Sequence, residues 1–282
     1  MHASGGRLKF TASRWPPAEP APVFRRIGPG AGLESGVRIF RFASLLLALL
    51  AWQLLSMRGL PEYILGPVEI LRHFATALGE REFYENAGAS LMRSLPGFAI
   101  GTLLGVALGL AAGVARWFDR MLSPAVFLTY PVPKIVMLPL FMLWFGIGDF
   151  SKILIIALAC FYPAFINAYY GAKATPAILV WSGLNMGAGK RRIFFGVVVP
   201  NALPQILAGV RVSLALSFIV MFATEMINAR SGLGHMIRVA ENSLRFDLMY
   251  VSLLGIAILG YTGDRLLRLG RERVLAWQER SA

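Results

Sequence analysis

The sequence predicts an all-α membrane protein with six transmembrane helices, and three observations carry that prediction. The chain is 56% hydrophobic and only 15% charged, where a soluble domain carries about a quarter charged residues. Its apolar residues gather into six runs, at 39–57, 94–114, 122–146, 152–171, 205–227 and 248–267. Each is near the ~20 residues a helix needs to cross the hydrocarbon layer. The basic residues between those runs are strongly biased to one side of the implied membrane.

Taken in order, residues 1–37 hold five Pro and six Gly with no apolar periodicity, and read as a disordered tail. The first apolar run starts late and no small-residue cleavage site follows it, so 38–57 is expected to stay as a first helix rather than be removed. The second run carries Gly97, Gly101, Gly105, Gly109 and Gly113, each four residues from the last. At ~3.6 residues per turn they form one stripe, which predicts a close helix–helix seam. The third run contains Pro131, Pro133 and Pro139 and should be kinked or broken near its start. Broken backbone is tolerated at membrane depth only where protein or a wet cavity covers it, which places this helix inside the bundle. Cys160, the one cysteine, lies in the fourth run. It can form neither an internal disulfide nor a thiolate zinc site, and reads as a small buried hydrophobe.

A net charge of +13 often marks nucleic-acid binding, but here the basic residues sit in short clusters without a continuous stripe or an RNA-binding motif. Their distribution sets topology instead. With both termini cytoplasmic, the inner segments hold 18 basic residues and the outer loops 7, and Glu80, Glu82 and Glu85 also lie outside. Residues 172–204 are then cytoplasmic.

Within that region, VWSGLNMGAGKRRIFFGVVVP (Val180–Pro200) is the most informative stretch. Gly183–Lys190 superficially resembles a phosphate-binding loop. Five residues separate Gly183 from Gly189, Arg191 follows Lys190, and no strand precedes it, so it fails the spacing and lacks the hydroxyl that would hold magnesium. As physics, Lys190, Arg191 and Arg192 make a basic start, Ile193, Phe194, Val197 and Val198 an apolar face, and Gly187 allows a sharp turn. Such an element can lie in a partner's groove, and a helix on anionic lipid has the same composition.

The order of motifs resolves that choice. Gly187 stands ten residues before Val197, and Val199-Pro200 closes the segment, which resembles the E-A-A-x(3)-G-x(9)-I-x-L-P loop of ABC-importer permeases. SLPGFAIGTLLGVALGLAAG (94–113), PVPKIVMLPLFMLWFGIGDFSKI (131–153), GAGKRRIFFGVVVPNALPQILAGVRVSL (187–214) and GLGHMI (232–237) follow in the same order. Residues 59–278 therefore resemble the permease subunit of type I ABC importers, closest to the nitrate/sulfonate/taurine branch. The resemblance implies a bacterial inner-membrane protein and an ATPase-coupling loop at 176–204, carried by Trp181, Ser182, Gly183, Gly187, Ala188, Lys190, Arg191, Phe194, Val197 and Pro200. The opening E-A-A is here Trp181, Ser182 and Gly183, so the first turn of the loop departs from the family pattern and lacks its acidic residue. It further implies two cytoplasmic ATPase subunits that bind the ATP and Mg, a periplasmic or lipid-anchored binding protein, and a second permease copy in the same lipid bilayer. Nitrate, taurine, sulfonates and thiamine-precursor pyrimidines are the solutes it leaves open.

Two ionisable residues are candidates for a translocation pathway. Glu225 sits in the fifth run, where a charge either faces water or solute or is satisfied by polar neighbours near the helix end. Lys134 follows Pro133 at the break and either attracts an anionic solute or snorkels to headgroups. His2, His73 and His235 have no ligand-spaced neighbours and no catalytic motif is present, so neither a metal site nor enzyme activity is expected. An ion-gradient transporter, the rival class, would favour a relay of intramembrane carboxylates or histidines and an internal repeat; Glu225 stands almost alone.

Overall fold

The computed structural model describes residues 31–58, 61 and 63–275, and among them every regular element is helical. Met1–Trp52 and Gln53–Ala282 form separate units. α1 (Ala31–Met57) fills the described part of the first and ends in the second. It begins before the expected boundary, so residues 31–37 belong to a helix rather than to the tail. The reason is local: no proline occurs between Pro29 and Pro61, so nothing there removes a helical donor. Residues 1–30, also expected to be tail, lie outside the described residues.

The second unit runs α2 (Pro67–Ala77), α3 (Arg81–Val114), α4 (Arg116–Thr129), a 3₁₀ turn (Lys134–Met137), α5 (Leu138–Phe145), α6 (Asp149–Lys173), α7 (Ala177–Asn185), α8 (Lys190–Ile193), α9 (Val199–Asn228), α10 (Leu233–Asn242) and α11 (Phe246–Val274). Among the described residues four helices are long and apolar enough to cross a membrane: α3, α6, the continuous Lys190–Asn228 and α11. α4 with Lys134–Phe145 forms a pair bent by 93°, a fifth if it is one span. The remaining expected span falls in α1, whose apolar stretch Ala43–Met57 is shorter. The bend follows from Pro131 and Pro133, which stop α4 at Thr129; Pro139 sits in the first turn of α5, where its missing N–H has no role.

α6 is the centre of the bundle, its apolar window 61% buried against 17% for α11. α3 lies against it along the glycine stripe. A Cβ at Gly97 would fall 2.6 Å from Ile156 Cγ2, at Gly105 2.8 Å from Ala164 Cβ, and at Gly113 2.6 Å from Ala172 Cβ. At Gly101 and Gly109 it would meet the carbonyl oxygens of Ala157 and Phe165. The seam expected from sequence therefore forms within one chain. α9 closes on α6 in the same way: a Cβ at Gly209 would lie 2.6 Å from Asn167 Cβ. Hydrogen bonds cross this second seam, Ser213 Oγ donating to Cys160 O at 2.8 Å and Cys160 Sγ to Ser213 O at 3.2 Å. Cys160 is a buried small residue, as expected.

At the α10 end of the bundle a buried polar network joins four helices. Arg93 on α3 is 4% exposed and donates from Nη1 to Glu225 Oε1 at 2.7 Å, and from Nε to Asp149 Oδ1 at 2.7 Å. It also reaches Ser231 O (2.7 Å) and Ser231 Oγ (2.9 Å). The other Glu225 oxygen accepts from Ser90 Oγ (2.8 Å) and Gly234 N–H (3.0 Å). α10 thus starts on side chains from its neighbours: Asn86 Oδ1 takes the Gly232 N–H and Ser90 Oγ the Leu233 N–H. A carboxylate at a helix N-terminus completes orphan donors and matches the dipole. Gly232 has φ +113°, with the Glu225 carboxylate where a Cβ would stand.

Two expectations follow. Gly101→Val should lower thermal stability in detergent by about 1–3 kcal/mol or abolish folding. Gly88→Ala on the same helix, with open space around it, should be neutral or stabilise by up to ~1 kcal/mol; equal melting of the two variants would contradict the seam. Arg93→Leu strands a buried carboxylate and should cost about 3–5 kcal/mol, part of which Glu225→Leu restores in the double variant. Unchanged melting of the single variant would show that the network is not structural.

Candidate functional site

The segment singled out by sequence forms a corner at the opposite end of the bundle. α7 ends by a Schellman motif: Ala188 N–H donates to Gly183 O (2.9 Å) and Gly187 N–H to Leu184 O (2.9 Å). That motif needs a left-handed residue after the helix cap, and Gly187 supplies it with φ +77°. Nothing lies within 4 Å of the position a Gly187 Cβ would take, so the backbone angle alone selects glycine there. The stretch Gly183–Lys190 is thus a helix end and a turn. Gly183, standing where the family pattern has its second Ala, faces Ile193; a Cβ there would be 3.4 Å from Ile193 Cγ1, an ordinary contact.

Beyond Gly189 the chain does not form a separate short helix followed by a loop. α8, a π turn (Phe194–Val198) and α9 form one continuous helix of 39 residues, Lys190–Asn228. Residues 190–204, expected to be loop, are therefore the first turns of a spanning helix. The π turn has a local cause. Pro200 has no N–H for the Gly196 carbonyl and its ring would crowd that oxygen in α geometry; the preceding Val199 N–H bonds five residues back, to Phe194 O.

The expected apolar docking face turns inward. Ile193 and Val198 are buried, and Phe194 packs against the core cluster that holds Val198, Ala202 and Ile206; Val197 and Pro200 are half-buried. What the corner presents outward is a different set: Ile178 and Trp181 (66% exposed) from α7, Met186 (85% exposed) just after it, and Phe195 beyond. Ser182, Lys190, Arg191 and Arg192 are exposed beside them and Ala188 is half-buried. Ile178 and Trp181 share one side of α7, a spacing of three that the sequence contained. Three cations in the first turn of a helix oppose its dipole, by about 0.3–1 kcal/mol each. Their placement does not stabilise the helix, and all three are exposed.

The two pathway candidates lie apart. Lys134 Nζ donates to Thr129 O (2.7 Å), Tyr130 O (3.0 Å) and Val132 O (2.6 Å), and sits 3.9 Å from the Tyr162 ring centre. All three ammonium donors cap carbonyls at the break, and the side chain borders a cavity of about 240 Å³ with Tyr130, Tyr162, Pro163 and Ile219. Glu225 is 0% exposed within the Arg93 network. Arg93, Ser90, Asn86 and Asp149 were not singled out in the sequence, where 132 residues separate Arg93 from Glu225. No group of three or more metal-ligating side chains occurs among the described residues.

Known proteins share this architecture. Residues 90–274 match the family model described as binding-protein-dependent transport system inner membrane component. A protein of Escherichia coli (strain K12) named an aliphatic sulfonates transport permease protein is 36% identical over 228 residues, 80% of this chain and 87% of that one. The taurine transport system permease protein of the same organism is 31% identical over 222 residues, covering 77% and 81%. The riboflavin transport system permease protein of Chloroflexus aurantiacus is 32% identical over 237 residues, covering 83% and 88%. Among solved structures, an inward-facing form of the MetNI methionine ABC transporter superposes with a TM-score of 0.51 at 22% identity, over 67% of this chain and 94% of that one, a likeness of fold. With its match over residues 90–274, the chain belongs to the family of binding-protein-dependent transport system inner membrane components, the multi-pass permease subunits of ABC importers.

Proposed function

We propose that this permease serves an ATP-driven importer of a small solute of the nitrate/sulfonate/taurine type. Two copies of the chain enclose the pathway, two ATPase subunits dock on the α7–α8 corners and hold the ATP and Mg, and an extracytoplasmic binding protein delivers the solute. The solute class is supported by the printed names of the sulfonates and taurine relatives. The corner carries the rest of the reading. Its exposed apolar side chains and unfavourably placed cations suit an acidic-rimmed groove on a partner, and its second half is continuous with a span. Movement of the partner would then reach the membrane through one helix.

The charge tally supports a cytoplasmic α7–α8 corner and both termini on the same side; residues 1–30 and 276–282 lie outside the described residues. Cysteines at Ala188 and Glu82, in a Cys160→Ser background, should react with an impermeant thiol reagent from opposite faces of the membrane. Labelling of both from outside would refute this topology.

Gly187 provides the sharper test. Valine at a positive φ costs at least about 1–2 kcal/mol, whereas asparagine tolerates that region. Gly187→Val should therefore keep insertion but lose most solute-stimulated ATPase activity in liposomes, and Gly187→Asn should keep most of it. Wild-type coupling in the valine variant would overturn the docking role.

A further inference from the structure

Three basic residues fall outside both sides of the charge tally: Arg93, Lys134 and Arg211. Arg93 is buried and bonded on every side, and Lys134 has its donors on three carbonyls. Arg211 differs, with its side chain 50% exposed at the mouth of a groove of about 540 Å³ between α9 and α11. Leu214, Ala215, Phe218 and Gly260 line the groove, and its polar end is Arg211 and Asp264.

Asp264 is shared by two guanidiniums. Arg211 donates from Nε to Oδ1 (2.5 Å) and from Nη2 to Oδ2 (3.2 Å), and Arg268 from Nε (3.0 Å) and Nη2 (2.5 Å) to Oδ2. One carboxylate against two cations leaves a net positive charge, and each guanidinium keeps further N–H donors. Depth follows from helix rise. Arg211 stands ~21 Å along α9 from Glu225 and Asp264 ~27 Å along α11 from its first residue, at ~1.5 Å per residue. Taking Glu225 and Phe246 as the far edge of a hydrocarbon layer ~30 Å thick, Asp264 comes within ~3 Å of the headgroup level on the α7 side, and Arg211, which starts ~9 Å inside it, extends its guanidinium to that same carboxylate. An apolar slot ending in paired cations at that level matches one ligand in shape and charge.

We infer that the α9–α11 groove binds an anionic phospholipid of the leaflet on the α7 side, its phosphate on Arg211 and Arg268 and an acyl chain along Leu214, Phe218 and Gly260. The assignment of that leaflet as cytoplasmic rests on the topology proposed above; the site itself does not. The test is lipid retained by the permease assembled with its ATPase, after reconstitution in an equal mixture of phosphatidylglycerol and phosphatidylcholine and a detergent wash, counted by mass spectrometry. Wild type should enrich phosphatidylglycerol roughly fivefold, from one net positive charge near the surface. Arg211→Gln should lose the enrichment, and so should Gly260→Leu, which keeps both cations but fills the slot. Arg265→Gln, exposed on the same helix, should not. No enrichment in wild type, including the case where a second copy covers the groove, overturns the inference. So does enrichment that survives Arg211→Gln, or displacement of the lipid by glycerol phosphate, which would mark a site for free anions. Inverted cysteine labelling with enrichment intact would move the leaflet and leave the site standing.

Discussion

The structure depends on backbones that touch. In a bilayer the hydrophobic effect does not draw one helix to another, because lipid tails are as apolar as leucine, so association rests on van der Waals contact and polar cross-links. α6 meets that condition on two sides. The α3 stripe Gly97–Gly113 lets that helix ride against the carbonyls of Ala157 and Phe165, and Gly209 lets α9 do the same beside Pro163 and Asn167. Once α6 is held this closely, there is no room to slide by a fraction of a turn without a clash. The Arg93–Glu225 network then ties the same three helices and α10 at one end, where Arg93 binds Glu225 on α9 and Asp149 on α6.

This rigid three-helix body gives the α7–α8 corner its meaning. The corner is attached by a helix that runs without interruption from Lys190 to Asn228, and that helix is held against α6 at Gly209 and Ser213. A force on Lys190 and Arg191 in the proposed transport cycle would therefore move α9, α6 and α3 together. Such coupling requires contacts that differ between two states. In the proposed cycle the exposed Trp181 and Met186 would make those contacts with the partner, while the buried Ile193 and Val198 seat the corner on its own bundle. The π turn lies between the two, at the one place where Pro200 loosens the helix ladder.

What was legible in the sequence was whatever a short stretch specifies alone. Five glycines at a spacing of four could only make a seam, Pro131 and Pro133 could only break a helix, and Gly187 stood where a sharp turn was expected, now seen at φ +77°. What escaped was whatever needs two distant stretches. Glu225 looked isolated because its partners come from α3 and the first turn of α10. The inward rotation of Ile193 and Val198 was invisible because an apolar face has no label saying which partner covers it. Helix limits were missed for a third reason: hydropathy finds the greasy part of a helix, whereas α3 runs on to Arg81, with an Arg81–Glu85 pair at 2.7 Å one turn apart in water.

The central claim is that docking corner and span are one rigid body, and a distance along α9 tests it most directly. Spin labels on cysteines at Arg192 and Ile227, both exposed, in a Cys160→Ser background, should stand on the order of 52 Å apart from helix rise alone. Pulsed electron resonance on the transporter assembled with its ATPase should give the same distance with and without ATP, while labels on Met186 and the ATPase change their separation. A change of several ångströms between Arg192 and Ile227 would mean that the helix hinges at the π turn, and that the corner does not carry its motion into the membrane as a rod.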